Sequence, residues 1–132
     1  MRVNITNDNY VDQAEQAIIN LSNMKDKKGK PLQMVTTSKI RGLLAMSADI
    51  YNQIVQNGTQ ELDEELKSRI DYLRVRFMYE AGRGDLVKNF IEETRILDVL
   101  KNAKKDKESY LLFSRYMEAL VAFHRYYGGK DQ

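Results

Sequence analysis

From Glu61 to Arg83 the chain reads ELDEELKSRIDYLRVRFMYEAGR, and its apolar residues return at every third or fourth position. Leu62, Leu66, Ile70, Leu73, Phe77 and Ala81 therefore share one face of a long helix, with Glu80 the one charged member near its end. A stripe of that length cannot be covered by the helix that carries it. It requires further helices packed against it, and this requirement sets the fold class.

The remaining segments supply those helices. A first helix is expected to start after Asn7 or Asp8, either able to cap its free N–H groups, and to bury Tyr10, Ala14, Ala17, Ile18 and Leu21. KDKKGKPLQMV, residues 25–35, holds the only proline and a glycine among four lysines and reads as a flexible basic loop. A second helix opens at Thr36-Thr37-Ser38, faces inward with Ile40, Leu43, Leu44, Ser47, Ile50, Tyr51 and Ile54, and stops at Asn57-Gly58. The third is the long one; Gly82 or Gly84 is expected to end it in the left-handed conformation. Asp85 caps a fourth, with Leu86, Phe90, Ile91, Thr94, Leu97 and Leu100 inward, and residues 101–109 form a polar break. Asp106 caps a fifth, which runs to about Tyr127 and ends at Gly128-Gly129. Its inner face is Phe113, Tyr116, Leu120, Phe123, His124 and Tyr127. Leu112, Met117 and Val121 widen that face beyond what one surface helix uses, so this helix lies centrally or presents those three residues to another subunit. With 132 residues and no strand alternation or repeat, the expectation is an all-α, compact five-helix bundle in a single domain.

Beside the apolar stripe of the long helix runs a second line. Arg69, Arg76 and Arg83 are spaced seven apart, with Tyr72 and Tyr79 between them on the same flank. On an intact helix this ladder is about 21 Å long. Guanidinium groups pair with phosphate oxygens and tyrosine rings offer stacking faces, so the ladder fits a nucleic-acid backbone. Ordinary ion pairs along the helix, Glu65 with Arg69 and Glu80 with Arg76, account for the same residues as a solvated face. The charge distribution leaves two basic segments free to serve a partner. Residues 25–41 hold six basic residues against Asp26, and residues 67–88 hold six against Asp71, Glu80 and Asp85. The acids Glu61, Asp63, Glu64 and Glu65 sit where a helix begins and its dipole favours them. Lys39 and Arg41, in the first turn of the second helix, are placed against that dipole, which suits an anion partner and equally fits a tolerated surface choice costing a few tenths of a kcal/mol.

Catalytic chemistry finds little here. There is no cysteine, which removes disulfides, thiolate metal sites and a cysteine nucleophile. The single histidine, His124, has no motif around it and reads as a packed, hydrogen-bonded residue. Gly128-Gly129-Lys130 lacks the upstream glycine and following Ser or Thr of a phosphate loop, and the acids at 61–65 lack the central glycine of a calcium loop. No apolar run approaches the roughly 20 residues of a membrane span, and MRVNITNDNY lacks the apolar core of a secretory leader. The expectation is a cytoplasmic protein without enzymatic activity, cofactor, metal or small-molecule substrate.

Three stretches together resemble a known family. They are Thr36-Thr37-Ser38-Lys39-Ile40-Arg41; Tyr72-Leu73-Arg74-Val75-Arg76-Phe77 with Tyr79-Glu80-Ala81-Gly82-Arg83; and Arg115-Tyr116-Met117-Glu118-Ala119-Leu120-Val121-Ala122 with Tyr127-Gly128-Gly129-Lys130-Asp131. The start, Asp8-Asn9-Tyr10-Val11 with Ala14-Glu15, fits as well. In order and spacing this resembles the small subunit of the type III-A CRISPR effector, the Csm complex, over nearly the whole chain. The resemblance implies a helical subunit without catalysis of its own, present in several copies as an inner filament. Its partners would be crRNA and target RNA, the crRNA-binding backbone subunit, the large polymerase-like subunit and further copies of itself, and target cleavage would belong to the backbone subunit. Lys39, Arg41, Arg69, Arg74, Arg76 and Arg83 lie in or beside the matching stretches and are the residues expected to meet RNA phosphates without reading sequence. Leu112, Met117 and Val121 are the expected contact between subunits. The alternative is a helical adaptor that binds protein alone; a regulator of duplex DNA lacks a helix-turn-helix pattern.

Overall fold

The computed structural model describes residues 4–57 and 60–128. Expectations that fell on Gly58, Gly129, Lys130, Asp131 and the first three residues lie outside the described residues. Six helices are present rather than five: α1 Tyr10–Ser22, α2 Thr37–Asn57, α3 Glu64–Arg83, α4 Asp85–Thr94, α5 Ile96–Asn102 and α6 Lys107–Tyr126. The only β-type pairing among the described residues is an isolated bridge between Lys25 and Pro31.

The extra helix comes from Arg95. It adopts the left-handed conformation (φ 56°, ψ 32°), ending α4 and starting α5. Such a residue is normally glycine or asparagine, so the sequence carried no break signal there. The kink changes which residues face inward: Ile96, Val99, Leu100 and Ala103 are buried, while Leu97 of the expected face is only half-buried. It also frees carbonyls at the end of α4, and the buried hydroxyl of Tyr116 donates to one of them, Thr94 O, at 2.7 Å. A non-glycine residue in this conformation costs of order 1 kcal/mol. Arg95→Gly is therefore expected to stabilise the fold by about 1 kcal/mol, read as a rise in the midpoint of urea unfolding.

Three end signals differ from expectation. Gly82 lies inside α3, and Gly84 is extended (φ −155°), so neither is left-handed and Arg83 stays helical. Asp85 is the first residue of α4 and makes no capping bond; Gly84 holds the cap position. Asn9, not Asn7 or Asp8, precedes α1, and its side chain accepts from Thr6 N at 2.8 Å. Asp106 and Thr36 cap as expected, while Asp63, read from the sequence as one of four acids inside the start of the long helix, proves to be the cap of α3, which begins at Glu64. Asp63 accepts from Leu66 N, Asp106 from Ser109 N, and Thr36 Oγ1 from Lys39 N.

α6 is the centre of the bundle, packed on α1, α2 and α5. Tyr110, Phe113, Tyr116, Met117, Leu120 and His124 are all buried along it. Each fully buried large apolar side chain contributes about 1.5–3 kcal/mol. Phe113 meets Tyr110 and, across from α3, Phe77, with ring centroids 5.3 and 6.3 Å apart. α2 runs antiparallel to α6, since Thr37 meets His124 at one end and Ser47 O accepts from Tyr110 at the other. α2 is also antiparallel to α3: Gln53 bonds Arg69, and Met46 shares a groove with Arg76. The start of α2 and the ends of α3 and α6 thus lie at one end of the bundle.

The lysine-rich segment between α1 and α2 is wound round Asp26. Its carboxylate accepts from the Lys28 and Lys30 amides at 2.8 and 3.0 Å, Gly29 takes a positive φ of 81°, and Leu32 N closes the neck on Met24 O at 2.8 Å. Beyond the neck, the fully buried His124 uses Nε2 to donate to the Val35 carbonyl, and its Nδ1 lies 3.4 Å from the Thr37 hydroxyl. Since a carbonyl only accepts, the proton sits on Nε2 and Nδ1 accepts from Thr37. His124 is thus a packed residue that pins the entry to α2. Burial holds its pKa below the ordinary imidazole value; the Val35 bond opposes this and the Arg125 charge adds to it.

Candidate nucleic-acid interface

α3 buries Leu66, Ile70, Leu73 and Phe77 on one side, and this fixes where its arginines point. Arg69, Arg76 and Arg83 emerge along one flank with Tyr72 and Tyr79, which are 63% and 54% exposed. The guanidinium carbons of Arg76 and Arg83 stand 5.4 and 5.5 Å from the centroid of the Tyr79 ring, so that ring lies between two cations. Both also reach Glu80, Arg76 Nη2 at 3.8 Å from Oε2 and Arg83 Nη1 at 3.4 Å from Oε1. The Glu80 side chain is only 14% exposed. Of the two expected intrahelical pairs, that with Glu80 forms, but two guanidiniums divide one carboxylate and positive charge is left over. Glu65 does not pair with Arg69; Arg69 Nη1 instead donates to Gln53 Oε1 on α2. The ladder is therefore a cationic row at the surface, with Arg83 exposed and Arg69 and Arg76 half-buried, held in shape by Glu80, Tyr79 and Gln53.

The other expected basic residues fall in two places. Lys39 and Arg41 are exposed in the first turns of α2, with no ion pair among the described residues, at the end of the bundle where α3 finishes. Arg74 is not part of the ladder. Two positions from Arg76, it points to the opposite flank, where it lies 3.4 Å from Asp71. Lys104 Nζ, from beyond α5, binds the same carboxylate at 2.8 Å. That hydrogen bond is the main reason the Asp71 carboxyl is held below its ordinary range, with Arg74 adding to it.

Of the three residues expected to face another subunit, Met117 is 0% exposed and packs inside this chain, because α6 is central. Leu112 and Val121 are half-buried. The exposed apolar residues lie elsewhere: Val75 and Met78 on the outer side of α3 and Val55 on α2, which sequence reasoning passed over, and Tyr51, which it placed on the inner face of α2 but which is 39% exposed. Their signal was present, since apolar residues off the stripe of an amphipathic helix have no packing reason to be there. A groove of about 510 Å³ between α2 and α3 was also not foreseen; Arg69, Tyr72 and Arg76 form one wall and Met46, Asp49 and Ile50 the other.

Among the described residues no group of three metal-binding side chains occurs, and no helix is long and apolar enough to cross a membrane. A protein-family model described as Csm2 Type III-A matches residues 15–130. The chain is 46% identical over 127 residues to the CRISPR system Cms protein Csm2 of Streptococcus thermophilus, spanning 96% of this chain and 98% of that one. It is 38% identical over 130 residues to the protein of the same description from Mycobacterium tuberculosis, spanning 98% and 100%. It is 34% identical over 111 residues to that of Enterococcus italicus, spanning 79% of each.

Proposed function

The chain belongs to the type III-A Csm2 family, and from that premise we propose that it is a non-catalytic subunit that grips RNA by its phosphates inside a Csm complex. It acts in antiviral interference in the cytoplasm. Several copies line up as an inner filament beside the crRNA-binding backbone subunit and the large polymerase-like subunit, and the backbone subunit cuts the target. Arg69, Arg76 and Arg83, continued by Lys39 and Arg41, neutralise the backbone of target RNA and crRNA whatever their sequence. Arg74, sharing Asp71 with Lys104, offers a separate and partly neutralised contact.

One observation carries this reading: two guanidiniums divide a single carboxylate on an exposed flank, so the row keeps unspent positive charge and open donors. The test is the affinity of the purified chain for single-stranded RNA as salt is varied. With five phosphate contacts, from Arg69, Arg76, Arg83, Lys39 and Arg41, the log–log slope is expected to be about −3.5, at roughly −0.7 per phosphate, and alike for unrelated sequences. An affinity indifferent to salt would remove the proposal. A protein-only adaptor is favoured by the exposed Val75 and Met78 beside the ladder. In that case neither heparin nor RNA would displace a bound partner subunit.

A further inference from the structure

We propose that the groove between α2 and α3 receives a single unpaired nucleobase while the sugar–phosphate chain passes over the arginines at its rim. This rests on the RNA-binding reading and adds a base-binding subsite to it. The floor is apolar, closed by the buried Ile50 and Leu73 with Met46 beside them. At about 510 Å³ the space accommodates a base with part of its ribose. Tyr72 stands in the wall, 63% exposed as a residue, and, unlike Tyr79, carries no cation or second ring among the described residues. Its face is free for stacking. Arg69 and Arg76 belong to the same wall, but Gln53 and Glu80 hold their guanidinium groups.

Asp49 decides what enters. It lies in the opposite wall and has no hydrogen bond or ion pair among the described residues. A carboxylate left there repels a phosphate from the groove while accepting an N–H. The occupant must therefore be flat, uncharged and able to donate hydrogen bonds, with its negative charge kept outside near the arginines. A nucleobase on its backbone has that distribution of charge. A peptide carboxylate or a free phosphate does not.

The experiment compares two single-stranded RNA oligomers of equal length and charge, one ordinary and one abasic throughout, by fluorescence anisotropy with the full chain. The ordinary oligomer should bind about tenfold more tightly, within the range of one base stacked on an aromatic ring. Tyr72→Ala should abolish that difference and Tyr72→Phe should keep it; because this residue is exposed both variants keep the fold, and circular dichroism checks it. Asp49→Ala should tighten abasic binding and narrow the gap, because the backbone is no longer repelled. Tyr79→Ala should leave the ratio of the two affinities unchanged. Equal, salt-sensitive binding of both oligomers would overturn the groove and leave phosphate recognition standing. Failure of both to bind would remove the two together.

Discussion

Replacing Arg69, Arg76 and Arg83 together by alanine is expected to weaken single-stranded RNA binding about a hundredfold, and by the same factor for every sequence. Charge-assisted hydrogen bonds to phosphate are worth about 1.5–3 kcal/mol in favourable settings; on this exposed flank about 1 kcal/mol apiece is the appropriate figure. The salt slope should flatten by about 2, as three phosphate contacts disappear. The variant has one structural side effect. Glu80, 14% exposed, loses both of its cations, and a carboxylate left that way strains the end of α3. The substitution is therefore best combined with Glu80→Gln, which keeps the shape and removes the charge. Far-UV circular dichroism should then match the parent. A folded variant whose affinity is unaltered would show that RNA does not use this flank.

The largest effect on stability is expected at His124. His124→Ala leaves the Val35 carbonyl without its donor and opens a cavity between α6 and the start of α2. A cost of about 3 kcal/mol follows from the lost buried hydrogen bonds and the lost packing. The parent should also be acid-sensitive at this position. Its folded pKa lies below the free imidazole value of about 6.5. The unfolded chain therefore takes up the proton first as pH falls. The stability that His124 supplies is complete above about pH 6.5 and declines below it, towards the lower folded value. Urea unfolding at neutral pH and near pH 5 measures both. The parent should lose more stability on acidification than His124→Ala does; identical losses would exclude His124 as a source of the acid sensitivity.

Much of the bundle is written in side-chain spacing. The stripes of α1, α2 and α3 are buried close to where their periodicity places them, because each repeats over several turns. Asp63 and Asp106 cap where they stand, since that chemistry is local. The kink at Arg95 was not legible. Neither glycine nor proline marks it, and its support is a tyrosine hydroxyl 22 residues away. Met117 shows the same limit from the other side. A wide apolar arc means equally a central helix or a subunit contact, and only the packing of α1 and α2 on α6 decides. At the candidate interface, helical geometry alone set Arg69, Arg76 and Arg83 with their tyrosines on one flank. The same geometry, applied to Arg74, turns it away from them, and its network depends on Lys104 arriving from another element. The groove has no trace in α3 by itself, because it exists only in the register between α3 and α2.

The knot around Asp26 has a consequence for how this fold tolerates change. The Met24–Leu32 bond seals the segment on one side, and the imidazole clasp on Val35 fixes the chain before α2 begins. What lies between bears on no helix-to-helix contact. Several residues added near Gly29 would cost only a fraction of a kcal/mol in closure entropy. The length of this segment, and with it the number of lysines it carries, is an adjustable dimension of an otherwise rigid architecture.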